Sequence, residues 1–489
     1  MNPDYALLAQ ALLPEIALVV GALLVLGLDL AIFRRQEPAA RYRLVMNFGA
    51  MAVTVALIFA CSTGFSGPVF GDVLFFDTLA LITRQGVLML TLFTFGIACD
   101  ARRLRHPAEY VAVILFAATG LILMAAAQQL LLAFLALELA SISLYVLAGF
   151  DKSRPESAEA ALKYFLIGGM AAAFLLFGFS LLYGLTGSLI LPQIGMMLMP
   201  QGPSPLLLIA LVMVLVAFGF KTAAAPFHLW APDAYQGAPT PSAALIASAS
   251  KLAGLVFFYR LLWPGLGMSA GDAARLPFTI GWVPVVALLS GASLLLGNIA
   301  ALAQTNIRRL LAYSAIAHAG AMLLGVIAAG ASGPAPLFYY AFTYAIAAIG
   351  AFGVIALVEN AGRCENLADL AGLHRRSPLL AGCLLVFILS LAGIPPLAGF
   401  FGKFVIFAAA LKLNGLGGPA GWLAVAAILL SAVALYYYLL ILKQALVVRT
   451  DGPIRRITVP PAATATLLTA AGLLVLFGLF PSVLLGLFQ

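Results

Sequence analysis

Apolar runs of twenty or more residues follow one another along nearly the whole chain, separated by short polar gaps rich in arginine. Each run is long enough to cross a ~30 Å hydrocarbon core as a helix. Lipid offers no hydrogen bonds to a bare backbone, so a spanning segment is either a helix or a strand of a closed barrel. Barrel strands alternate apolar and polar positions over about ten residues, whereas these runs are continuous. The pattern predicts an all-α polytopic membrane protein. Spans fall at roughly 12–32, 44–62, 78–98, 107–127, 129–149, 157–184, 204–224, 241–263, 279–303, 309–329, 336–358, 378–411, 420–442 and 459–486. That is about fourteen transmembrane helices.

The charges sort the gaps into two classes. With the N-terminus outside, the inner gaps hold Arg34, Arg35, Arg41, Arg43, Arg102, Arg103, Arg105, Lys152, Arg154, Arg308, Arg309, Arg363, Arg375, Arg376, Lys443, Arg449, Arg455 and Arg456. The outer gaps hold Arg275 and Lys412. Basic residues mark cytoplasmic loops, and one helix more or fewer would scramble this alternation. Both termini are therefore expected on the outer side of the membrane.

Composition agrees, with 64% hydrophobic and 9% charged residues, where a soluble chain carries about 25% charged. The net charge of +8 belongs to these gaps and forms no basic groove with interleaved aromatics, so the partner it implies is the lipid bilayer and not nucleic acid. Cys61, Cys99, Cys364 and Cys383 form no CxxC pair, which argues against an iron–sulfur or structural zinc site in this chain. The first thirteen residues lack a positive leader region, so no cleaved signal peptide is expected.

Two spans are interrupted. The seventh runs into Lys221-Thr222-Ala223-Ala224-Ala225-Pro226-Phe227-His228, and the twelfth contains Gly393-Ile394-Pro395-Pro396. Proline removes a donor and clashes with the preceding turn, so Pro226, Pro395 and Pro396 should break both helices within the membrane. The breaks lie five spans apart, and a five-helix unit repeated once must invert in the membrane. Paired broken helices in inverted repeats point to a transport site. The chain thus divides into a three-helix segment (1–106), a first repeat (107–263), a second inverted repeat (278–448) and a last helix (457–489).

Intramembrane ionisable residues are costly and are functional candidates by default. Glu138 is the one acidic residue deep in a span, and Lys221, Lys251 and Lys403 are its basic counterparts. Lys251 lies too far into its span to snorkel, with Ser248 and Ser250 beside it. Lys163, His228 and His318 are secondary candidates. Each has a plainer reading: a static Glu138–Lys221 pair, a Lys163–Glu159 pair one turn apart, a loop-capping His228, a satisfied core His318. Arg84, Arg260 and Glu109 lie near span ends and read as snorkelling or orienting groups.

At these residues the sequence resembles the antiporter-like membrane subunits of bacterial respiratory complex I, the subunit N group above all. The resemblance rests on Glu138 in its Leu/Ala/Ser setting, Ala160-Ala161-Leu162-Lys163-Tyr164-Phe165, Phe220-Lys221 through Asp233-Ala234-Tyr235, Ala312-Tyr313-Ser314-Ala315-Ile316-Ala317-His318-Ala319-Gly320, and Ser390-Leu391-Ala392-Gly393-Ile394-Pro395-Pro396 through Gly402-Lys403-Phe404. It implies that Glu138 pairs with Lys221 and that Lys251 and Lys403 continue a hydrated proton path. Lysine at 403 speaks against subunit M, and an end at Gln489 against subunit L. It further implies a translocase subunit with no cofactor of its own. NADH, FMN, iron–sulfur clusters and quinone belong to partner subunits, and other membrane-arm subunits, antiporter-like ones among them, are its neighbours. Mrp-type cation/proton antiporter subunits share much of the motif set and are the alternative.

Overall fold

The computed structural model describes residues 5–62, 64–98, 105–198, 204–271, 280–362, 364–449 and 456–488. Cys99, Arg102, Arg103, Arg275, Arg363 and Arg455 lie outside the described residues. Among the described residues, thirteen helices are long and apolar enough to cross a membrane. They are α1 (Leu13–Ala31), α2 (Pro38–Ser62), α3 (Thr78–Ala98), α4 (Pro107–Ala126), α5 (Leu130–Ala148), α6 (Pro155–Thr186), α7a (Pro205–Thr222), α8 (Thr240–Gly265), α9 (Trp282–Leu302), α10 (Ile307–Ser332), α11 (Ala335–Ala361), α13 (Pro419–Leu446) and α14 (Pro461–Leu479). Between α11 and α13 lie two shorter pieces, α12a (Pro378–Ala392) and α12b (Ala398–Asn414). A short α7b (Trp230–Gly237) follows α7a. Fourteen crossings result, as the charge alternation requires.

Start signals are local. Proline occupies the first turn of α4, α6, α7a, α12a, α13 and α14, where its missing N–H costs nothing. Ser204 caps α7a by accepting from Leu207 N at 3.2 Å, and Asn306 caps α10 by accepting from Arg308 N at 3.0 Å.

The loops gather at two ends. At one, Arg154 pairs with Glu359 at 3.5 Å, Arg309 with Asp233 at 2.6 Å, and Ile457 N bonds Arg376 O at 3.0 Å. These gaps are the ones expected to be arginine-rich and inner. At the other, a hairpin of β1 (Gly67–Val69) and β2 (Leu74–Phe76) meets the α4–α5 turn, where Gln128 N bonds Val73 O at 3.0 Å.

The opposite end corrects one expectation. Arg84 and Arg260 do not snorkel. Arg84 is 3% exposed, pairs with Glu15 at 3.0 Å and sits 4.2 Å over the Phe76 ring. Arg260 is 6% exposed and pairs with Asp77. The hairpin folds back over the helix ends and buries both guanidinium groups, tying the N-terminal helices to the first repeat. Glu109 stays half-buried beside His106.

Both broken helices end alike. Ala223 and Gly393 take left-handed φ values of 57° and 85°, and each is followed by a six-to-one backbone bond: Ala224 N to Gly219 O at 2.8 Å, and Ile394 N to Leu389 O at 3.0 Å. This is the Schellman way of closing a helix. Cis peptide bonds precede Pro226 and Pro396. Each break falls in the fourth helix of a five-helix unit, α4–α8 or α9–α13. A further interruption was not foreseen: Ser248 (φ −109°, ψ −84°) bends α8 three residues before Lys251, with neither proline nor glycine to announce it.

Small residues set the helix spacing, as packing in lipid favours. A Cβ on Gly120 of α4 would meet Ala140 N of α5 at 2.6 Å and Ala136 O at 2.7 Å. In the second unit, a Cβ on Gly297 of α9 would meet Ala317 N of α10 at 2.5 Å. Gly120→Ala should therefore force α4 and α5 apart at a cost of about 1–3 kcal/mol. Gly169→Ala, with nothing within 4 Å, serves as the reference. A thermal denaturation midpoint measured on the detergent-solubilised chain should fall for Gly120→Ala and hold for Gly169→Ala; equal midpoints would contradict the close approach.

Candidate functional site

The first charged group lies on α5. Glu138 is half-buried, on a helix whose Leu135 and Ile142 face outward, and its Oε1 has no hydrogen-bond partner. Lys221, in the last turn of α7a, is 6% exposed and close enough to Glu138 for the charges to interact. Its Nζ donates to Ser141 Oγ at 3.4 Å and not to the carboxylate. The two residues are brought together, but the direct pair that the resemblance implies is open in this conformation. An aromatic group closes over the end of α7a: Trp230 stacks on Tyr164 at 4.1 Å and donates from Nε1 to Phe220 O at 3.1 Å.

The next lysine follows on the neighbouring helix. The Lys221 stem lies against Gly254 of α8, where an added Cβ would stand 3.2 Å from Lys221 Cγ. Lys251 precedes that glycine by one turn. It is 3% exposed, donates to Ala315 O of α10 at 2.6 Å and stands 5.3 Å from the Tyr344 ring, within reach of a cation–π attraction. Ser248 beside it spends its hydroxyl on Ala244 O at 2.6 Å.

His318 lies one turn beyond Ala315 on α10, within electrostatic reach of both Lys251 and Lys403. Its two ring nitrogens meet the Tyr340 hydroxyl at 2.6 Å and the Tyr438 hydroxyl at 3.0 Å, and Tyr438 also bonds Ser314. A cavity of about 20 Å³ lies between His318, Lys403, Asn298 and Tyr437, which is room for one water. Lys403 of α12b donates to Ala392 O at 2.9 Å, the last carbonyl of α12a. Breaking the helix is what leaves that carbonyl without an intrahelical donor, and the negative end of the helix suits an ammonium. Gly393 makes room, since a Cβ there would stand 3.0 Å from Lys403 Cδ.

The secondary candidates separate. Lys163 is not part of the line. It pairs with Glu159 at 2.6 Å, as its spacing suggests, and also with Asp233 of α7b at 2.6 Å. Asp233 in turn holds Arg309 of α10 at 2.6 Å. The cluster joins both repeats at the arginine-rich end. His228 sits in the α7 break with Nδ1 unpartnered, its ring 6.5 Å from Tyr313.

Sequence reasoning missed two groups. Arg308, counted among the loop arginines, is fully buried, donates to Thr240 Oγ at 3.2 Å and leaves Nε and Nη2 without partners. Nothing in its spacing sets it apart from Arg309. Tyr340 and Tyr438 also escaped notice, because a buried tyrosine reads as ordinary core.

Five ionisable groups thus follow one another over five helices, from Glu138 through Lys221, Lys251 and His318 to Lys403. Comparisons with known proteins identify the family. The model of the NADH:quinone oxidoreductase/Mrp antiporter transmembrane family matches residues 127–441. NADH-quinone oxidoreductase subunit N 2 of Acidobacterium capsulatum is 48% identical, over 99% of each chain. A chain of respiratory complex I from Thermus thermophilus with bound aureothin is 35% identical, covers 97% of this chain and 98% of its own, and superposes with a TM-score of 0.78. A chain of the Mrp complex from Dietzia, 21% identical, covers 98% of this chain and 96% of its own with a TM-score of 0.79, a likeness of fold alone. The chain belongs to the NADH:quinone oxidoreductase/Mrp antiporter transmembrane family, alongside the subunit N relatives of complex I.

Proposed function

We propose that this chain is a proton-translocating membrane-arm subunit of NADH:quinone oxidoreductase, a translocase subunit driven by redox chemistry in its partners. The carrying observation is the unbroken succession Glu138, Lys221, Lys251, His318, Lys403 through the interior, each within one helical turn or one shared neighbour of the next. NADH, FMN, iron–sulfur clusters and quinone are assigned to the other subunits, and membrane-arm subunits, antiporter-like ones included, to its flanks. The arginine-rich end is assigned to the cytoplasm, so both termini face the periplasm across the inner membrane. The unit boundaries at 106, 263, 278, 448 and 457 follow the same reading.

The electrostatics suffice. Closing a pair of unit charges to ~4 Å at an effective dielectric near 20 is worth about 4 kcal/mol. Moving one charge through 100 mV costs about 2.3 kcal/mol. Closing and reopening Glu138–Lys221 therefore shifts proton affinity farther along the line by enough to work against a membrane potential. The groups interact, so they titrate as a set. One proton per cycle is the expected yield.

The Mrp-like fold supports a second reading, a cation/proton antiporter subunit. It requires cation exchange in vesicles supplied with neither NADH nor quinone, and copurification with antiporter subunits in place of flavin and iron–sulfur proteins.

In the assembled enzyme, Lys221→Ala and Glu138→Ala should each lower protons pumped per electron while quinone reduction persists; normal pumping in both would remove the mechanism. His318→Phe keeps both flanking lysines and loses the two tyrosine bonds. It should depress pumping as Lys403→Ala does, and pumping at the parental ratio would show that the histidine is only a packed core residue.

A further inference from the structure

A cleft of about 1020 Å³ opens at the arginine-rich end, between the α1–α2 loop and the first turns of α4 and α14. Its lining carries four guanidinium groups, Arg34, Arg41, Arg43 and Arg105, and an apolar wall that includes Met46 and Pro461. Asp29, 2% exposed, accepts from Arg41 at 2.7 and 2.6 Å and lies 3.9 Å from Arg34. Glu109 is farther off but felt by Arg41. Glu37 and Arg35 of the same loop add one charge of each sign, and three carboxylates against five guanidinium groups leave the cleft positive.

None of these residues belongs to the proton path. Arg43 spends one donor on Ala39 O at 3.3 Å, and among the described residues Arg43 and Arg105 form no ion pair, while both line the cleft. The ligand that fits is anionic and large. The setting favours one with acyl chains. The cleft lies where helix ends meet the membrane surface, and apolar side chains remain exposed farther along both flanking helices, Met51 at 53% on α2 and Leu468 at 53% on α14. Both helices rest on α3, where a Cβ on Gly96 would collide with Thr466 Oγ of α14. Basic pockets between membrane helices at the cytoplasmic surface are suited to lipid headgroups. We propose that this cleft seats the phosphodiester headgroup of an anionic phospholipid, with its chains along α2 and α14, and that the lipid ties the N-terminal three helices to the last one.

The full chain, purified in detergent and stripped of lipid, is titrated by native mass spectrometry with phosphatidylglycerol, phosphatidylcholine or inorganic phosphate. Phosphatidylglycerol should be retained in preference, and about fivefold less tightly for each of Arg43→Gln and Arg105→Gln, the size of one basic side chain's attraction to an anionic headgroup. Arg449→Gln, at an exposed arginine away from the cleft, should retain it as the parent does. Raising salt on the unaltered chain should weaken phosphatidylglycerol and leave phosphatidylcholine unchanged, which tests the proposal without any substitution. Equal retention of the two lipids, undiminished retention in the double variant, or displacement of the lipid by inorganic phosphate at matched concentration would each overturn it. The last result would identify a soluble-anion site.

Discussion

Burying an ammonium in hydrocarbon is the constraint around which this structure is arranged. A lone charge at that depth costs several kcal/mol, and the chain meets the cost with backbone carbonyls as much as with counter-charges. Lys251 takes the Ala315 carbonyl, and Lys403 takes the Ala392 carbonyl exposed by the end of α12a. Lys221 lies in the last turn of its own interrupted helix. Breaking a helix inside a membrane frees carbonyls that lipid cannot satisfy, so at α12 the break and Lys403 serve each other. At the α7 break the Phe220 carbonyl is met by Trp230 Nε1 instead, and Lys221 turns to Ser141.

The same constraint explains the division between interior and periphery. Of their most apolar eighteen-residue stretches, α8, α10 and α11 bury 94%, 94% and 100%, whereas α13 and α14 bury 33%. The interior helices carry Lys251, His318 and Tyr340, while Tyr438, the other tyrosine on the histidine, reaches in from α13. The outer ones present leucine and alanine to lipid. Glycine at helix crossings lets neighbouring helices of each repeat approach closely, and at Gly254 and Gly393 it gives the lysine stems their space.

Much of this was legible in the sequence because it obeys one-dimensional rules. Span length, arginine alternation and the two proline breaks follow from hydrophobicity, loop charge and the missing proline N–H. They fixed fourteen crossings and the inverted units. Glu138, Lys221, Lys251 and Lys403 stood out because charge is rare in such runs. What stayed hidden depends on neighbours distant in sequence. The bend at Ser248 carries no breaker residue. Arg308 and Arg309 are adjacent and identical in type, yet one is sealed inside against Thr240 and the other reaches Asp233. Arg84 and Arg260 looked like interfacial residues because the fold-back of the β1–β2 hairpin is a tertiary event.

The hydrogen-bond inventory also separates a working line from a structural lock. A lysine ammonium has three donors. A buried ion pair that exists to fasten two helices fills them, since an unmet charged donor is costly. The Lys163–Asp233–Arg309 cluster fills its donors in this way at a partly exposed site, with Lys163 shared between two carboxylates at 2.6 Å. The interior lysines do not. Lys221, Lys251 and Lys403 each have one protein acceptor among the described residues, a serine oxygen at 3.4 Å or a single carbonyl, and Glu138 Oε1 has none. Groups held so lightly change partners at little cost. The outer cluster is therefore built as a fastening, and the inner groups are the ones that the proposed function draws on for proton exchange.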